Sequence, residues 1–383
     1  MQSKAYVSCE DKIAYIVSSR IPVCVRGTGK IAQQFLQVLE KALGVKINFF
    51  IDGNLSQSKG NSLFGRKIVK PGNIAEKSMA CLVLVAGSKQ DIFAQEMEEY
   101  GYSPVITWRE LCQSDFVGSV FRNLDFSQDW AYFENRKNEF GSIKEKNYKV
   151  KKTSNNVAIY TCITGQYDLL KEPTSLLPDC DYYVISDKRP SGNAVYKWIN
   201  IDEIVPEEVS DIVRRSRYCK INAHRIFQNY KYSIYHDGNM YVTGDVLGYI
   251  AGTGNVGITL CRHPGNHSIF EEAAMILVSG KDKADVVVPQ LNEYLNEGMP
   301  KDLPVYACGL LVREHNKPSC IRLMEDWWKE IFVYSYRDQI SFPYAMWKNN
   351  VSQCDITEIE GNIYGLNEIK NSGKHGNERK TEI

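Results

Sequence analysis

Short apolar runs separated by turn residues recur along the chain. Residues 21–25 (IPVCV), 45–51, 81–86 and 105–107 are runs of this kind. Between the first two, apolar residues fall at Ile31, Phe35, Leu36, Leu39 and Leu43, which is helical spacing. Gly44 stands where a helix would stop, and residues 91–100 read as a further helix. Strand-length runs alternating with helices predict a parallel α/β sheet. A second series follows at 157–161, 181–187, 197–201 and 233–235, then at 310–312, with an amphipathic helix over 320–333. Ile340, Tyr344 and Trp347 form the apolar stripe of a last helix. The pattern loosens over 113–156, where the aromatics of 121–140 lack a clean period and are expected to dock against a domain, and residues 144–152 are polar and basic. The expected organisation is a domain at 1–112, a linker at 113–156, a second α/β domain at 157–350 and a polar tail at 351–383. The first domain reads as separable from the second.

Composition narrows the class. Lys plus Arg number 46 and Asp plus Glu number 46, so no net field favours nucleic acid or an anionic membrane. Eleven cysteines lie at scattered spacings without CxxC pairs, as expected of reduced thiols in a cytosolic protein. The start, MQSKAYVSCEDK, is not a signal peptide, and no apolar run reaches the ~20 residues of a membrane span. The expectation is a soluble cytoplasmic protein, with peripheral attachment at an inner membrane and the oligomeric state left open.

Two stretches carry chemistry. In the first, residues 21–25 run into Arg26-Gly27-Thr28-Gly29-Lys30-Ile31-Ala32, and the strand at 45–51 ends in Asp52. This is the G-x-G-x-x-A arrangement, in which glycines allow close approach, a helix start faces phosphate and an acid meets a ribose. Gly27, Gly29 and Asp52 are the nucleotide-binding candidates, with a purely structural turn as the alternative. The segments FIDGN and FGRKIVKP resemble small Rossmann-like modules of sugar-nucleotide and polysaccharide enzymes.

The second stretch is NYKYSIYHDGNM, residues 229–240. Ser233, Ile234 and Tyr235 have strand character, broken by His236-Asp237-Gly238-Asn239. A strand ending in a carboxylate and a carboxamide offers the oxygen ligands that Mg²⁺ or Mn²⁺ prefers beside phosphates; a tight turn is the plainer reading. Strands that bring Asp168, Asp187 and Asp237 to one sheet end make the crevice where α/β folds bind ligands. Thr161, Thr164 and Tyr167 lie on the first of these strand ends. Arg217 and Lys220, three apart, share one side of a helix. His263 and His267 sit on a Gly/Pro loop as donor or acceptor contacts. Glu271 and Glu272, just beyond, suit an ordinary helix start.

The blocks IYTCITGQYD, KINAHRIFQNYKYSIYHDGNM, CRHPGNHSIFEEA, LLVREHN and YRDQISF occur in order over about 190 residues. Together they resemble the glycosyltransferase-like family once catalogued as a domain of unknown function, with plant Golgi and bacterial members. The resemblance implies a GT-A type α/β domain behind an N-terminal Rossmann-like domain. It also implies a nucleotide-sugar donor, a saccharide or lipid-linked saccharide acceptor, and a divalent metal. On that basis Asp237 and Asn239 occupy the place of an Asp-x-Asp motif, with Asn a weaker ligand, and His315 is a further metal or diphosphate candidate, with a buried structural histidine as the equal alternative. Thr161, Thr164, Tyr167, Asp187, Arg217, Lys220, His224, His263, His267 and Arg313 become donor-binding candidates. Asp338 and Gln339 take the place of the acid and amide at the reacting sugar, with a helix cap as the alternative for Asp338.

The function expected is transfer of a sugar from a nucleotide-sugar to a saccharide acceptor, in bacterial surface polysaccharide (capsule or lipopolysaccharide) assembly. The rivals are an NAD(P)-dependent sugar-nucleotide oxidoreductase on the first domain and a non-catalytic sugar-nucleotide-binding scaffold.

Overall fold

The computed structural model describes residues 6–53, 62–72, 79–151 and 153–373. The chain forms two compact units, one from residues 1–128 and 265–303, the other from residues 129–264 and 304–383.

The first unit carries strands β1 (Val23–Arg26), β2 (Ile47–Ile51), β3 (Ser62–Leu63), β4 (Arg66–Val69), β5 (Ala80–Val83) and β6 (Val105–Thr107). They lie in the order β3-β4-β2-β1-β5-β6. All neighbours are parallel except the β3/β4 hairpin. Strands β1 and β5 are buried at every residue, as a parallel sheet covered on both faces requires. The five parallel strands have the order 3-2-1-4-5, so the winding reverses between β1 and β5. Helix Lys30–Leu43 turns Ile31, Phe35, Leu36, Leu39 and Leu43 inward and ends at Gly44, whose φ is 65°.

The second unit carries β7 (Val157–Ile163), β8 (Cys180–Ser186), β9 (Lys197–Asn200), β10 (Tyr232–His236), β11 (Met240–Val242), β12 (Ile258–Arg262), β13 (Tyr306–Arg313), β14 (Thr357–Ile359) and β15 (Ile369–Asn371). The main sheet runs β14-β12-β13-β10-β7-β8-β9, and β11 pairs separately with β15. Strands β10, β7, β8 and β9 are parallel, whereas β13 is antiparallel to both β10 and β12. One face packs Tyr160, Leu311, Trp327, Trp328 and Phe342. The other packs Ile159, Ile234, Val312, Ile363 and Ile369. Here the winding reverses between β7 and β10, whose carboxyl ends therefore flank the crevice expected at a switch point.

The α/β class is as the sequence pattern implies, but three of the expected boundaries differ. Residues 113–156 are not a bare linker. They include helices Val117–Arg122 and Trp130–Ser142. Phe133 and Phe140, seven apart and so on one helix face, pack into the second unit's core. The period is obscured by Trp130 and Tyr132, which stay exposed. Residues 265–303, expected in the second domain, cluster with the first unit, so the first unit is not a separable block of residues 1–112. Nor is 351–383 simply a tail. Ile356, Ile359, Ile363, Leu366 and Ile369 are buried among polar neighbours, and β14 and β15 pair with β12 and β11. Residues 374–383 of the expected tail lie outside the described residues.

Candidate functional site

Strand β10 ends at His236, and the next four residues form a turn closed by Met240 N donating to Asp237 O at 2.9 Å. The plain turn reading of Asp-Gly-Asn is therefore correct as geometry. Its position adds something more, since the turn stands at the switch point. Gly238 is needed there for close approach. A Cβ at this residue would stand 2.7 Å from Asp168 Oδ2 and 2.8 Å from Ile163 Cγ1. Asp168 and Asp237 are thus brought to one sheet end, while Asp187 accepts Gly165 N at 3.1 Å on the neighbouring strand end.

Asp237 is held by distant elements. Its N–H donates to Gly309 O on β13 at 2.9 Å. Oδ1 accepts Tyr235 OH at 3.0 Å and faces Lys220 Nζ at 3.3 Å. Lys220 also ion-pairs with Asp338 Oδ2, and Arg217 Nε lies 2.7 Å from Asp338 Oδ1. That last approach is an ion pair without hydrogen-bond alignment, because Asp338 Oδ1 has no aligned donor. Arg217 and Lys220 lie on helix Ile212–Ile221, and Asp338 opens helix Asp338–Lys348. The four groups sum to zero charge. Lys220 is 1% exposed and Asp338 5%, whereas the Asp237 side chain is 39% exposed. Desolvating such charges is costly unless they are paired, so the buried pairs fix a geometry from which Asp237 looks outward most, with Arg217 19% exposed.

Titration follows from the same arrangement. Burial pushes the Asp338 carboxyl up, but Arg217 and Lys220 outweigh it and leave the group below the usual carboxylate range. Burial opposes the charge on Arg217, and Asp338 and then Asp237 hold it cationic. Burial raises the Tyr235 phenol well above its ordinary value, with Asp237 adding to the effect, so it is a lasting donor to Asp237. His236 is buried and pushed down by desolvation. Its Nδ1 is 3.1 Å from Asp237 O and its Nε2 3.3 Å from Tyr196 OH.

Several candidates fall elsewhere. Antiparallel register sets Leu310 opposite His236 and Arg313 opposite Ser233. Arg313 ends β13 about 10 Å along the strand from Leu310, at roughly 3.4 Å per residue, and His315 lies beyond it in the following turn. It cannot join Asp237 on one metal. Its Nε2 meets Phe227 O at 2.9 Å, and burial lowers its pKa to about 4. Arg313 is fully buried and donates to Ile221 O and Tyr160 OH, an inward structural role rather than one on the donor. His224 belongs to the same buried group, and desolvation takes its pKa to about 3. Thr161 is buried with an unpartnered hydroxyl, and Thr164 donates to Ile212 O at 3.2 Å. Tyr167 N closes onto Thr164 O at 3.2 Å. His263 N donates to Val305 O at 2.8 Å, past the strand end that Arg262 shares with Tyr306. His267 lies in the first unit, where its N–H donates to Glu271 Oε2 at 2.7 Å. Glu271 also takes the Gln90 amide at 3.0 Å, so that loop forms an ordinary helix start. Gln339 is half-buried beside Asp338.

In the first unit Gly27 has φ 109°, and a Cβ there would stand 2.8 Å from Val85 Cγ2. Gly29 caps the following helix. Asp52 Oδ2, however, accepts both Thr28 N at 3.1 Å and Thr28 Oγ1 at 2.5 Å. The acid expected on a ribose is engaged by Thr28 of the glycine turn after β1.

Among the described residues no group of three or more His, Cys, Asp and Glu side chains is arranged to hold a metal. The donor set still suits a cation completed by phosphate oxygens. Asp237 Oδ2 takes no hydrogen bond among the described residues, and Asn239, half-buried in the same turn, offers a carboxamide. Gly309 and Tyr235 join the site without having been singled out by residue type. The glycine inside the run YACGLLV is a sequence signal of close backbone approach: a Cβ at Gly309 would stand 3.0 Å from Asp237 Oδ2.

An α/β unit with charged groups gathered at a switch point defines a ligand-binding, enzyme-like class. The model of the TOD1/MUCI70, glycosyltransferase-like domain matches residues 131–362, and this chain belongs to that family. It is 24% identical over 218 residues to the probable hexosyltransferase MUCI70 of Arabidopsis thaliana, covering 50% of this chain and 37% of that protein. The chain thus spans little more than a third of that relative's length. Among solved structures, the WbbM bifunctional glycosyltransferase (apo) aligns with TM-score 0.32 and 12% identity over 56% of this chain and 40% of its own. Mouse xyloside xylosyltransferase 1 (apo) aligns with TM-score 0.32 and 7% identity over 53% and 84%. No helix among the described residues is long and apolar enough to cross a membrane.

Proposed function

We propose that the second unit is a GT-A type glycosyltransferase that moves a sugar from a nucleotide-sugar to a saccharide or lipid-linked saccharide acceptor. The observation that carries this reading is Asp237 at the switch point, backed by the buried Lys220–Asp338–Arg217 cluster. Membership of a glycosyltransferase-like family supports it. The setting we infer is cytoplasmic assembly of a bacterial surface polysaccharide. Eleven cysteines without a disulfide suit a reducing compartment.

The chain's own residues have distinct parts. Tyr235 and Lys220 orient the Asp237 carboxylate, and Gly238 and Gly309 let backbone and ligand come close. Lys220 and Arg217 supply fixed positive charge near a departing diphosphate, preorganised and shielded from water. Asp338 is a positioning residue here. Both its oxygens are paired with cations and its affinity for protons is depressed, which is unsuited to taking an acceptor proton. The cluster is already neutral, so an arriving diphosphate is not compensated by it alone. Asp237 and Asn239 would hold a divalent ion, Mn²⁺ or Mg²⁺. When bound, such an ion supplies Lewis-acid stabilisation of the leaving group. The oxidoreductase alternative loses support because Asp52 is engaged by Thr28.

Thermal-shift titration with UDP- and GDP-sugars, with and without Mn²⁺, tests the reading. A bound ligand at a hundredfold excess over Kd stabilises by about 2.7 kcal/mol. Metal-dependent stabilisation by a nucleotide-sugar, lost in Asp237→Asn, is the expected result; stabilisation by NAD(P) alone would overturn it.

A further inference from the structure

A second concavity lies within the same unit. It has a volume of about 420 Å³ and is lined by Tyr249, Thr259, Glu360, Asn367 and Glu368 with Gly248, Gly252 and Gly365. That size is within the range of small-molecule sites. Thr259 is 1% exposed, and its Oγ1 has no hydrogen-bond partner among the described residues. The carboxylate of Glu360 and the side-chain amide of Asn367 hold no hydrogen bond among the described residues. Tyr249 OH donates to Glu368 Oε2 at 2.7 Å, and Glu358, also in the lining, is paired with Arg262. A lining rich in carboxylates disfavours an anion such as the donor diphosphate. Carboxylate, amide and hydroxyl groups beside a tyrosine ring match a neutral, polyhydroxylated ligand.

The cavity is linked to the Asp237 turn through the C-terminal segment, while register sets Thr259 level with Ile234, both opposite Val312, about 10 Å back from Asp237 along the strand. Its wall includes Gly365 and Leu366, which continue from Ile363. A Cβ on Gly309 would meet Ile363 Cδ1 at 3.1 Å and Asp237 Oδ2 at 3.0 Å, so both flank one backbone position. The same C-terminal segment is tied to the Asp237 turn, with Ser372 N donating to Asn239 O at 2.7 Å and β15 paired with β11.

We infer that this cavity is the saccharide acceptor subsite, an assignment that rests on the glycosyltransferase reading above. Glu360 and Asn367 accept and donate to sugar hydroxyls, Thr259 takes the deepest one, and the Tyr249 ring lies along the sugar's C–H face. The acceptor's reacting hydroxyl then points past Ile363 towards Asp237.

The test fills the cavity. A Cβ at Gly248 or Gly365 meets no atom within 4 Å, and neither has a positive φ, so Gly248→Phe and Gly365→Phe start a bulky side chain from open space at the cavity wall, with an unchanged melting temperature as the check that the fold is kept. Saturation-transfer NMR uses the methyl glycosides of glucose, galactose, mannose and xylose as probes, alongside thermal shifts with UDP- and GDP-sugars. The expected result is a saturation-transfer signal on a glycoside with the unaltered protein and none with either variant, while the nucleotide-sugar shift is unchanged. A glycoside signal that persists with a folded variant, or that is absent with the unaltered protein, overturns the assignment. A glycoside signal abolished by filling, with no nucleotide-sugar shift in any form, upholds a saccharide cavity and instead overturns the transferase reading.

Discussion

Asp52 and Asp237 look alike in the sequence and do different work in the fold. Each follows a buried parallel strand, and each stands beside a glycine turn near a reversal of strand order. Asp52 is held by neutral groups, the amide and hydroxyl of Thr28, 24 residues away in the glycine turn after β1. Asp237 faces charge as well: beside Tyr235 OH and the Gly309 carbonyl it meets Lys220, and through Lys220 the buried Asp338. A carboxylate held by a neutral amide and hydroxyl pins the turn that offers them. One whose partners are buried cations, with an oxygen left over, is poised for a ligand.

This contrast can be broken first at Lys220. Lys220→Met leaves Asp338 buried with Arg217 alone and Asp237 without its cation. Removing one partner of a buried pair costs about 3–5 kcal/mol, so denaturant unfolding should show a loss of that order together with loss of nucleotide-sugar binding. Stability within about 1 kcal/mol of the unaltered protein would mean the cluster is not coupled as described.

Asp237→Asn should separate function from stability. It keeps shape while removing charge from a partly exposed group. Turnover with a nucleotide-sugar should fall by about 10²–10³, the range for losing one preorganised electrostatic interaction, with little change in melting temperature. Equal turnover in the two proteins would place the chemistry elsewhere.

Acid should distinguish the units next. His224 and His315 have folded-state pKa values lowered by burial to about 3 and about 4. The unfolded chain therefore binds protons first, and stability is lost as pH falls from about 6.5 towards those values, at about 1.4 kcal/mol per pH unit for each histidine. The second unit should lose structure between about pH 6 and pH 4, because the first unit holds no buried histidine among its described residues. Hydrogen exchange resolved by segment would reveal this order, and simultaneous loss would contradict it.

The smallest effect belongs to Thr28→Val. Losing the hydroxyl from Asp52 should cost about 1 kcal/mol and leave nucleotide-sugar titrations unchanged. A marked fall in nucleotide-sugar affinity would show instead that the first turn takes part in donor binding.

The sequence by itself determined what local chemistry controls. Apolar runs and helical spacing placed β1, helix Lys30–Leu43, β7, β8 and β10 close to where they form, and Gly44 marked a real helix end. It also put Asp237 at a strand terminus and Arg217 and Lys220 on one helix face. Tertiary structure decided the rest. Whether β13 runs parallel or antiparallel to β10 is not written in its residues, and that direction carries Arg313 and His315 away from Asp237. Assigning residues 265–303 to the first unit, and burying five apolar side chains of residues 356–369, depends on surfaces that exist only once the sheets are assembled. Pairing Asp338 with Lys220 likewise joins groups 118 residues apart. Such pairing wins only when burial removes water, and burial is a property of the whole fold.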